Sequence, residues 1–317
     1  MKKLVKYFCV LAVCVSVAFV FVGCLTIQDN DKWANDDNII QVEQSVSSSK
    51  GTVVEIYYPT RDYTIDEKDL TDADRYTKHA FVYLPAGYDA NDTKTKYPLL
   101  IVMHGMNGNE YQWGLNEEGD MRRSLDNGIA SGIVKQMIVV TPSGYADKTW
   151  NITQGDRNRE GAINFGDELR NNLLPYLKEN FNVLDGRENV AMAGLSMGSD
   201  QTIGIGIGLC LDLFSSFGAF SAVPFTDTIN PESPFVPPET FINDIDKAFS
   251  PALKINLLYM TCGTADTTFY PGYCAYRDKI PEWSRIERFE SEDFAGGDHE
   301  WKVFINGFDH FIQMVFK

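Results

Sequence analysis

The stretch Val190–Ser199, VAMAGLSMGS, constrains this chain more than any other. A short apolar run meets Gly194-Leu195-Ser196-Met197-Gly198 and passes into a helix-like segment. A serine presented on a strained strand-to-helix turn has this G-x-S-x-G form. Its neighbours two positions away on each side must be small, because the strand and helix backbones approach closely there. The pentapeptide is short enough to arise by chance, so the remaining parts of such a site must be found elsewhere in the chain.

The chain has 317 residues, 44% of them hydrophobic, enough for a large domain with a real core. Its formal net charge of −16 argues against nucleic acid and against a basic grip on anionic lipid. A neutral or weakly polar substrate suits it. Strand-like runs alternate with helical ones. Thr52–Tyr58, His79–Leu84, Pro98–Met103, Gln136–Thr141, Val190–Ala193, Ser216–Ser221, Lys254–Cys262 and Ile286–Glu290 read as strands. Asn164–Asn180, the glycine-spaced Ile203–Gly208 and Trp301–Phe316 read as helices, and the Pro-rich Val223–Phe249 as an insertion. This alternation predicts an α/β fold, a mostly parallel central sheet with helices on both faces, and the G-x-S-x-G turn within it is the form that the α/β-hydrolase fold uses. In an open sheet of this kind the site lies at the C-terminal strand ends, where Ser196 sits.

Acyl transfer by serine needs a base, an orienting acid and an oxyanion hole, in the chain order serine, acid, histidine. Two histidines follow Ser196. His299 lies in a glycine-rich loop, Ala295-Gly296-Gly297-Asp298-His299, and His310 within the last helix. A loop can present an imidazole to the serine, so His299 is preferred and His310 is read as a helix-packing residue. Asp266 follows a strand end, Cys262-Gly263-Thr264-Ala265, and is the first choice of acid; Asp293 and Asp298 are rivals. Asp266 also reads as a cap of the helix after it. The backbone N–H groups of Met197, after the serine, and Met106, in the loop His104-Gly105-Met106, are the candidate oxyanion donors. His104 is then a residue that organises this loop. No cofactor and no metal is called for, since no Cys/His cluster has ligand spacing. A Cys262–Cys274 disulfide would suit an oxidising compartment; the alternative is that Cys210, Cys262 and Cys274 are buried thiols.

From about Thr52 onward the chain resembles the esterase D / feruloyl esterase family, which includes carbohydrate esterase family 1. The matching pieces are Tyr83-Leu84-Pro85-Ala86-Gly87-Tyr88, Lys96-Tyr97-Pro98, His104-Gly105-Met106, Gly194-Leu195-Ser196-Met197-Gly198, Cys262-Gly263-Thr264-Ala265-Asp266 and Gly296-Gly297-Asp298-His299. The resemblance implies Ser196, Asp266 and His299 as a triad in an ester hydrolase. It implies substrates such as feruloylated or acetylated xylan and its oligosaccharides. Where the family commonly has a further glycine after the elbow, this chain has Ser199-Asp200. Tyr111, Trp113 and Trp150 fall in loops that leave the strand ends and are candidates for stacking on a sugar or feruloyl ring. Loop packing is the alternative account of them. An acyltransferase, a small-ester hydrolase of the siderophore-esterase type, or a non-catalytic glycan-binding lipoprotein are the competing functions.

Residues 1–23 have the form of an export signal, with Lys2, Lys3 and Lys6 ahead of the apolar run Phe8–Val22. Phe21-Val22-Gly23-Cys24 resembles the lipobox of bacterial lipoproteins, which implies lipidation at Cys24 and membrane attachment through the lipid. Residues 24–51 are polar and serine-rich, as a flexible tether would be. The esterase domain is expected to span residues 52–317.

Overall fold

The computed structural model describes residues 50–117, 119–151, 159–226 and 233–317. The signal-like segment, Cys24 and the tether up to residue 49 lie outside the described residues. A mixed eight-stranded sheet in the order β1-β2-β4-β3-β5-β6-β7-β8 organises the chain. The strands are β1 (Thr52–Arg61), β2 (Arg75–Leu84), β3 (Leu99–Met103), β4 (Ile138–Pro142), β5 (Val190–Leu195), β6 (Ser216–Phe220), β7 (Leu257–Gly263) and β8 (Phe289–Phe294). From β4 through β3 to β8 all pairings are parallel, while β2 is antiparallel to both neighbours. The expected mostly parallel sheet is thus the observed one.

Strands β3, β4 and β5 are buried along their whole length, as parallel strands covered on both faces must be. One core holds Leu99, Ile101, Met192 and Phe217 against Phe165, Leu173 and Ile203. The other holds Leu100, Val102 and Ala191 against Leu125, Phe308 and Phe311. The helices over the first face are α2 (Arg159–Ile163), α3 (Phe165–Glu168), α4 (Leu174–Asn180), α5 (Met197–Gln201), α6 (Pro238–Ala248) and α7 (Tyr270–Lys279). Over the second lie α1 (Asp120–Ala130) and α8 (Trp301–Met314).

Four local expectations change. The first hairpin is longer than its apolar residues suggested, pairing ten residues from Thr52↔Leu84 to Arg61↔Arg75. The expected single helix Asn164–Asn180 is instead α3, a π-helical turn at Leu169–Leu173, and α4. Pro175 lies at the start of α4, and the wider turn before it accommodates a residue that has no N–H to donate. The last strand runs Phe289–Phe294, not Ile286–Glu290. Ile286 makes only an isolated bridge to Ile255, and the strand proper is an edge strand whose acidic alternation, FESEDF, hides it from an apolar pattern. The disulfide is absent: Cys210, Cys262 and Cys274 are all free thiols. Cys262 is buried at the end of β7, and burial pushes its thiol far above the usual range.

Candidate active site

Ser196 joins β5 to α5 in a left-handed conformation, φ 54° and ψ −121°. A non-glycine residue there is strained and is held only by its surroundings. The flanking glycines show why. A Cβ on Gly194 would stand 2.5 Å from the Gly198 carbonyl oxygen, and one on Gly198 would stand 2.6 Å from the His104 carbonyl oxygen. The turn is pinned by the Ser196 N–H to the Phe220 carbonyl (2.9 Å) and by the Ser199 and Asp200 N–H groups to the Ser196 carbonyl.

The three side chains singled out in the sequence meet here. His299 Nε2 is 2.8 Å from Ser196 Oγ, and His299 Nδ1 is 2.8 Å from Asp266 Oδ2. A carboxylate only accepts, so Nδ1 carries the proton and the Nε2 lone pair faces the serine hydroxyl. Asp266 is buried, 1% exposed, while the His299 side chain is partly open to solvent. The Phe269 ring stacks on the imidazole at 4.4 Å between centroids, and Phe304 meets it edge-on at 5.0 Å. The capping role of Asp266 is present as well, since its Oδ1 accepts the N–H of Phe269 just before α7 (3.0 Å). One carboxylate thus both caps the helix and meets the imidazole.

The rival residues are engaged elsewhere. Asp298 accepts the backbone N–H of His299 (2.7 Å). Asp293 forms a two-oxygen pair with Arg277 (2.9 and 2.8 Å) and accepts the Tyr270 hydroxyl. His310 lies on α8, its Nδ1 2.5 Å from Glu292 Oε2.

Met106 and Met197 line a narrow pocket beside Ser196, together with Asp200, Ala222, Phe225 and Phe269. The Met197 N–H is the first of α5 and has no intrahelical acceptor. The loop that carries Met106 is ordered by polar bonds. Gly105 N–H donates to Gln112 Oε1 (2.7 Å), and Gly108 N–H to the Gly105 carbonyl (2.9 Å). His104 Nε2 accepts the Gly144 N–H (2.9 Å), which leaves its Nδ1–H to donate to the Gly105 carbonyl (2.8 Å). His104 is buried and in the neutral tautomer, as expected of a loop organiser. Asp200 is almost fully buried in the pocket wall.

Beneath this loop lies a feature that the sequence did not disclose. Lys78 and Glu168 are fully buried side chains paired at 2.7 Å. Lys78 Nζ also donates to the carbonyls of Ser143 (3.1 Å) and Tyr145 (2.9 Å), and Glu168 accepts the Tyr58 hydroxyl (2.6 Å). Burial pushes the Lys78 ammonium down and the Glu168 carboxyl up from their ordinary values, and their mutual attraction opposes both shifts. The pair fixes Ser143-Gly144-Tyr145, whose middle N–H holds His104 and whose Tyr145 hydroxyl reaches Met197 Sδ (3.3 Å). Gln201 ties the Gly144 carbonyl to that of Ala162 from below. One signal was available: alternation along β2 sets Lys78 in register with the inward-facing Ala80 and Val82.

The three candidate aromatic residues divide. Trp113 is 1% exposed, its indole N–H bonded to the Met103 carbonyl (2.9 Å) and its rings packed on Trp301 and Phe308. It is a core residue and presents no face to a substrate, which corrects the expectation. Trp150 is half-buried and packs with Met106, Tyr145 and Met197; Tyr111 is exposed.

Comparison with known proteins agrees with this geometry. Residues 73–233, just over half of the chain, match the Esterase family model, described as "Putative esterase". The endo-1,4-beta-xylanase/feruloyl esterase of Xylanibacter ruminicola is 35% identical over 125 residues. That match covers 39% of this chain and only 16% of that much longer protein. The solved ferulic acid esterase of the anaerobic fungus Anaeromyces mucronatus is 27% identical, with a TM-score of 0.63 over 86% of this chain and 93% of that one. The same fungal enzyme has been solved with ferulic acid. The feruloyl esterase module of Clostridium thermocellum, solved with sinapinate, shares the fold at 20% identity, with a TM-score of 0.66 over 85% of this chain and 89% of that one. A strained serine within reach of a histidine and a family match across it lead to one conclusion: the chain belongs to the Esterase family and is a carboxylesterase of the α/β-hydrolase fold, built like the feruloyl esterases.

Proposed function

We propose that this protein is an exported, lipid-anchored serine esterase that removes feruloyl or acetyl groups from plant cell-wall polysaccharide or its oligosaccharides. The observation that carries the reading is the unbroken relay from Ser196 Oγ through His299 to Asp266, set beside the pocket lined by Met106 and Met197. In the first step His299 Nε2 takes the Ser196 proton as Oγ attacks the ester carbonyl. The tetrahedral oxyanion rests on the N–H groups of Met106 and Met197, with the α5 N-terminus favouring the developing charge. His299 then gives its proton to the departing sugar oxygen, and the acyl group stays on Ser196. Water, deprotonated by His299, attacks this acyl-enzyme; the acyl–Oγ bond breaks, His299 returns the proton to Ser196 Oγ, and the acid leaves. Asp266 holds the imidazole tautomer and stabilises the imidazolium throughout.

The feruloyl relatives support the substrate class, and the Phe21–Cys24 stretch supports surface attachment. The test is hydrolysis of methyl ferulate, acetylated xylan and p-nitrophenyl acetate by wild type and Ser196→Ala. Wild type should cleave at least one sugar ester model, and Ser196→Ala should lose about 10⁴-fold or more in kcat. Full activity in the variant removes Ser196 as nucleophile; no activity of wild type on any of the three removes the substrate class. Labelling with a radioactive fatty acid should mark wild type and not Cys24→Ala; equal labelling of both rejects the anchor.

A further inference from the structure

Beyond the ester-cleaving centre, an aromatic ridge leads outward along the sheet edge. Trp150 packs on the cluster of Met106, Tyr145 and Met197 beside the serine. Its ring meets His79 edge-on at 5.2 Å. His79 in turn lies 5.9 Å from both Tyr57 and Tyr111, ring to ring. Those two tyrosines are 58% and 45% exposed, the largest exposures of any aromatic ring among the described residues.

The exposed rings are also held in place. The Tyr57 hydroxyl donates to Glu55 Oε1 (2.9 Å), the same oxygen that lies 3.3 Å from His79 Nδ1. On the other side His79 Nε2 is 3.0 Å from Glu110 Oε1. Tyr111 is braced edge-on against Phe81 at 4.8 Å. An exposed ring tied down by its hydroxyl is a pre-organised platform, which loses little freedom when something stacks on it.

The ridge is on the correct edge of the molecule. His79 pairs with Tyr57, and the residue after it, Ala80, pairs with Pro142 at the C-terminal end of β4. His79 and Tyr57 therefore stand just past the strand ends that present Ser196. In the order β5-β3-β4-β2-β1, they are three and four strand spacings from the serine strand, ~14 and ~19 Å. That span is too long for an acyl group and suits several sugar rings of a polymer whose ester lies at Ser196.

We infer that Tyr57 and Tyr111, with the Glu55 carboxylate beside Tyr57, form a distal subsite that stacks the neutral glycan chain of the substrate. The inference rests on the glycan-ester reading above and names where the sugar goes. Sugar rings offer apolar faces to tyrosine and hydroxyl donors to a carboxylate. The chain's acidity, with Glu55 and Glu110 flanking His79, disfavours a polyuronate on the same ridge.

The test uses the full chain and unesterified xylohexaose, a neutral glycan with no bond to cleave, measured by titration calorimetry. Wild type should bind it and Tyr57→Ala/Tyr111→Ala should bind about tenfold more weakly, each stacking contact contributing a few-fold. A polygalacturonate fragment should not bind either protein. On feruloylated xylo-oligosaccharides the double variant should raise KM with little change in kcat, and the effect should be much smaller on methyl ferulate. Xylohexaose bound equally by both proteins, or a KM effect equal on both esters, overturns the subsite. Xylohexaose binding that depends on the two tyrosines, in a protein that cleaves no sugar ester, keeps the subsite and overturns the proposed reaction instead.

Discussion

Met106 and His299 both stand beside Ser196, and they are secured in different ways. On the Met106 side, an exposed Gln112 holds the Gly105 N–H, and the other polar supports are buried: Lys78 with Glu168, the carbonyls of Ser143 and Tyr145, His104 and Gln201. On the His299 side, the loop is a surface turn held by backbone bonds. Ala265 N–H donates to the Gly297 carbonyl (2.8 Å), Thr264 N–H to the Phe294 carbonyl (3.0 Å), and the Thr264 hydroxyl accepts from Gly296 N–H (2.8 Å). A single buried carboxylate and a stacked Phe269 orient the imidazole. The chemistry asks for this contrast. Oxyanion donors work by not moving, since their value lies in being aimed before charge develops. The base must serve first the serine and then the leaving oxygen, so it needs a fixed tautomer and some freedom of the ring.

The largest expected effect tests the His299 side. Asp266→Asn keeps an acceptor for the Phe269 N–H but favours the wrong imidazole tautomer, so kcat should fall about 10⁴-fold while thermal stability changes little. A kcat within tenfold of wild type would break the assignment of Asp266 as orienter.

The Met106 side is tested next. Lys78→Met leaves the Glu168 carboxylate buried without its cation and should destabilise the fold by about 3–5 kcal/mol in denaturant unfolding. Adding Glu168→Leu should restore most of that stability. It should not restore activity: with Ser143-Gly144-Tyr145 no longer held by Lys78, kcat should stay about 10- to 100-fold low. A stable double variant with full kcat would show that the buried pair serves packing alone.

The smallest effect lies in α8, which leaves the His299 loop. Burial raises the Asp309 carboxyl to about 6 from its ordinary 3.8, and its Oδ1 is shut off from solvent. Between those two values the folded protein holds a proton that the unfolded chain has released. This contribution to stability is therefore present in full below 3.8 and is lost as pH rises through about 6. Asp309→Asn escapes that loss. Its unfolding free energy relative to wild type should rise by about 1–3 kcal/mol between pH 4 and pH 7, with no change in kcat. A pH-independent difference would place the raised carboxyl elsewhere.

That Ser196, Asp266 and His299 come together was readable from residue order. Each is a local signal: a strand end, a tight turn and a residue type that the turn must present. Choosing His299 over His310 followed from the same logic, and the folded chain gives His310 a separate partner in Glu292. Residue order could not separate Trp113, Trp150 and Tyr111. All are aromatic residues near strand ends, and whether one is buried, half-buried or exposed depends on which segments cross above it. The Lys78–Glu168 pair was equally hidden, because its members lie on different elements and meet only when α3 folds over the β1–β2 hairpin. The proposed chemistry is thus written locally along the chain, because turn geometry and residue type suffice to place a serine, a histidine and an aspartate for it. The rigidity of the Met106 loop and the course of the aromatic ridge from Trp150 to Tyr57 arise from contacts between distant segments, and these exist only once the sheet has brought its strands into register.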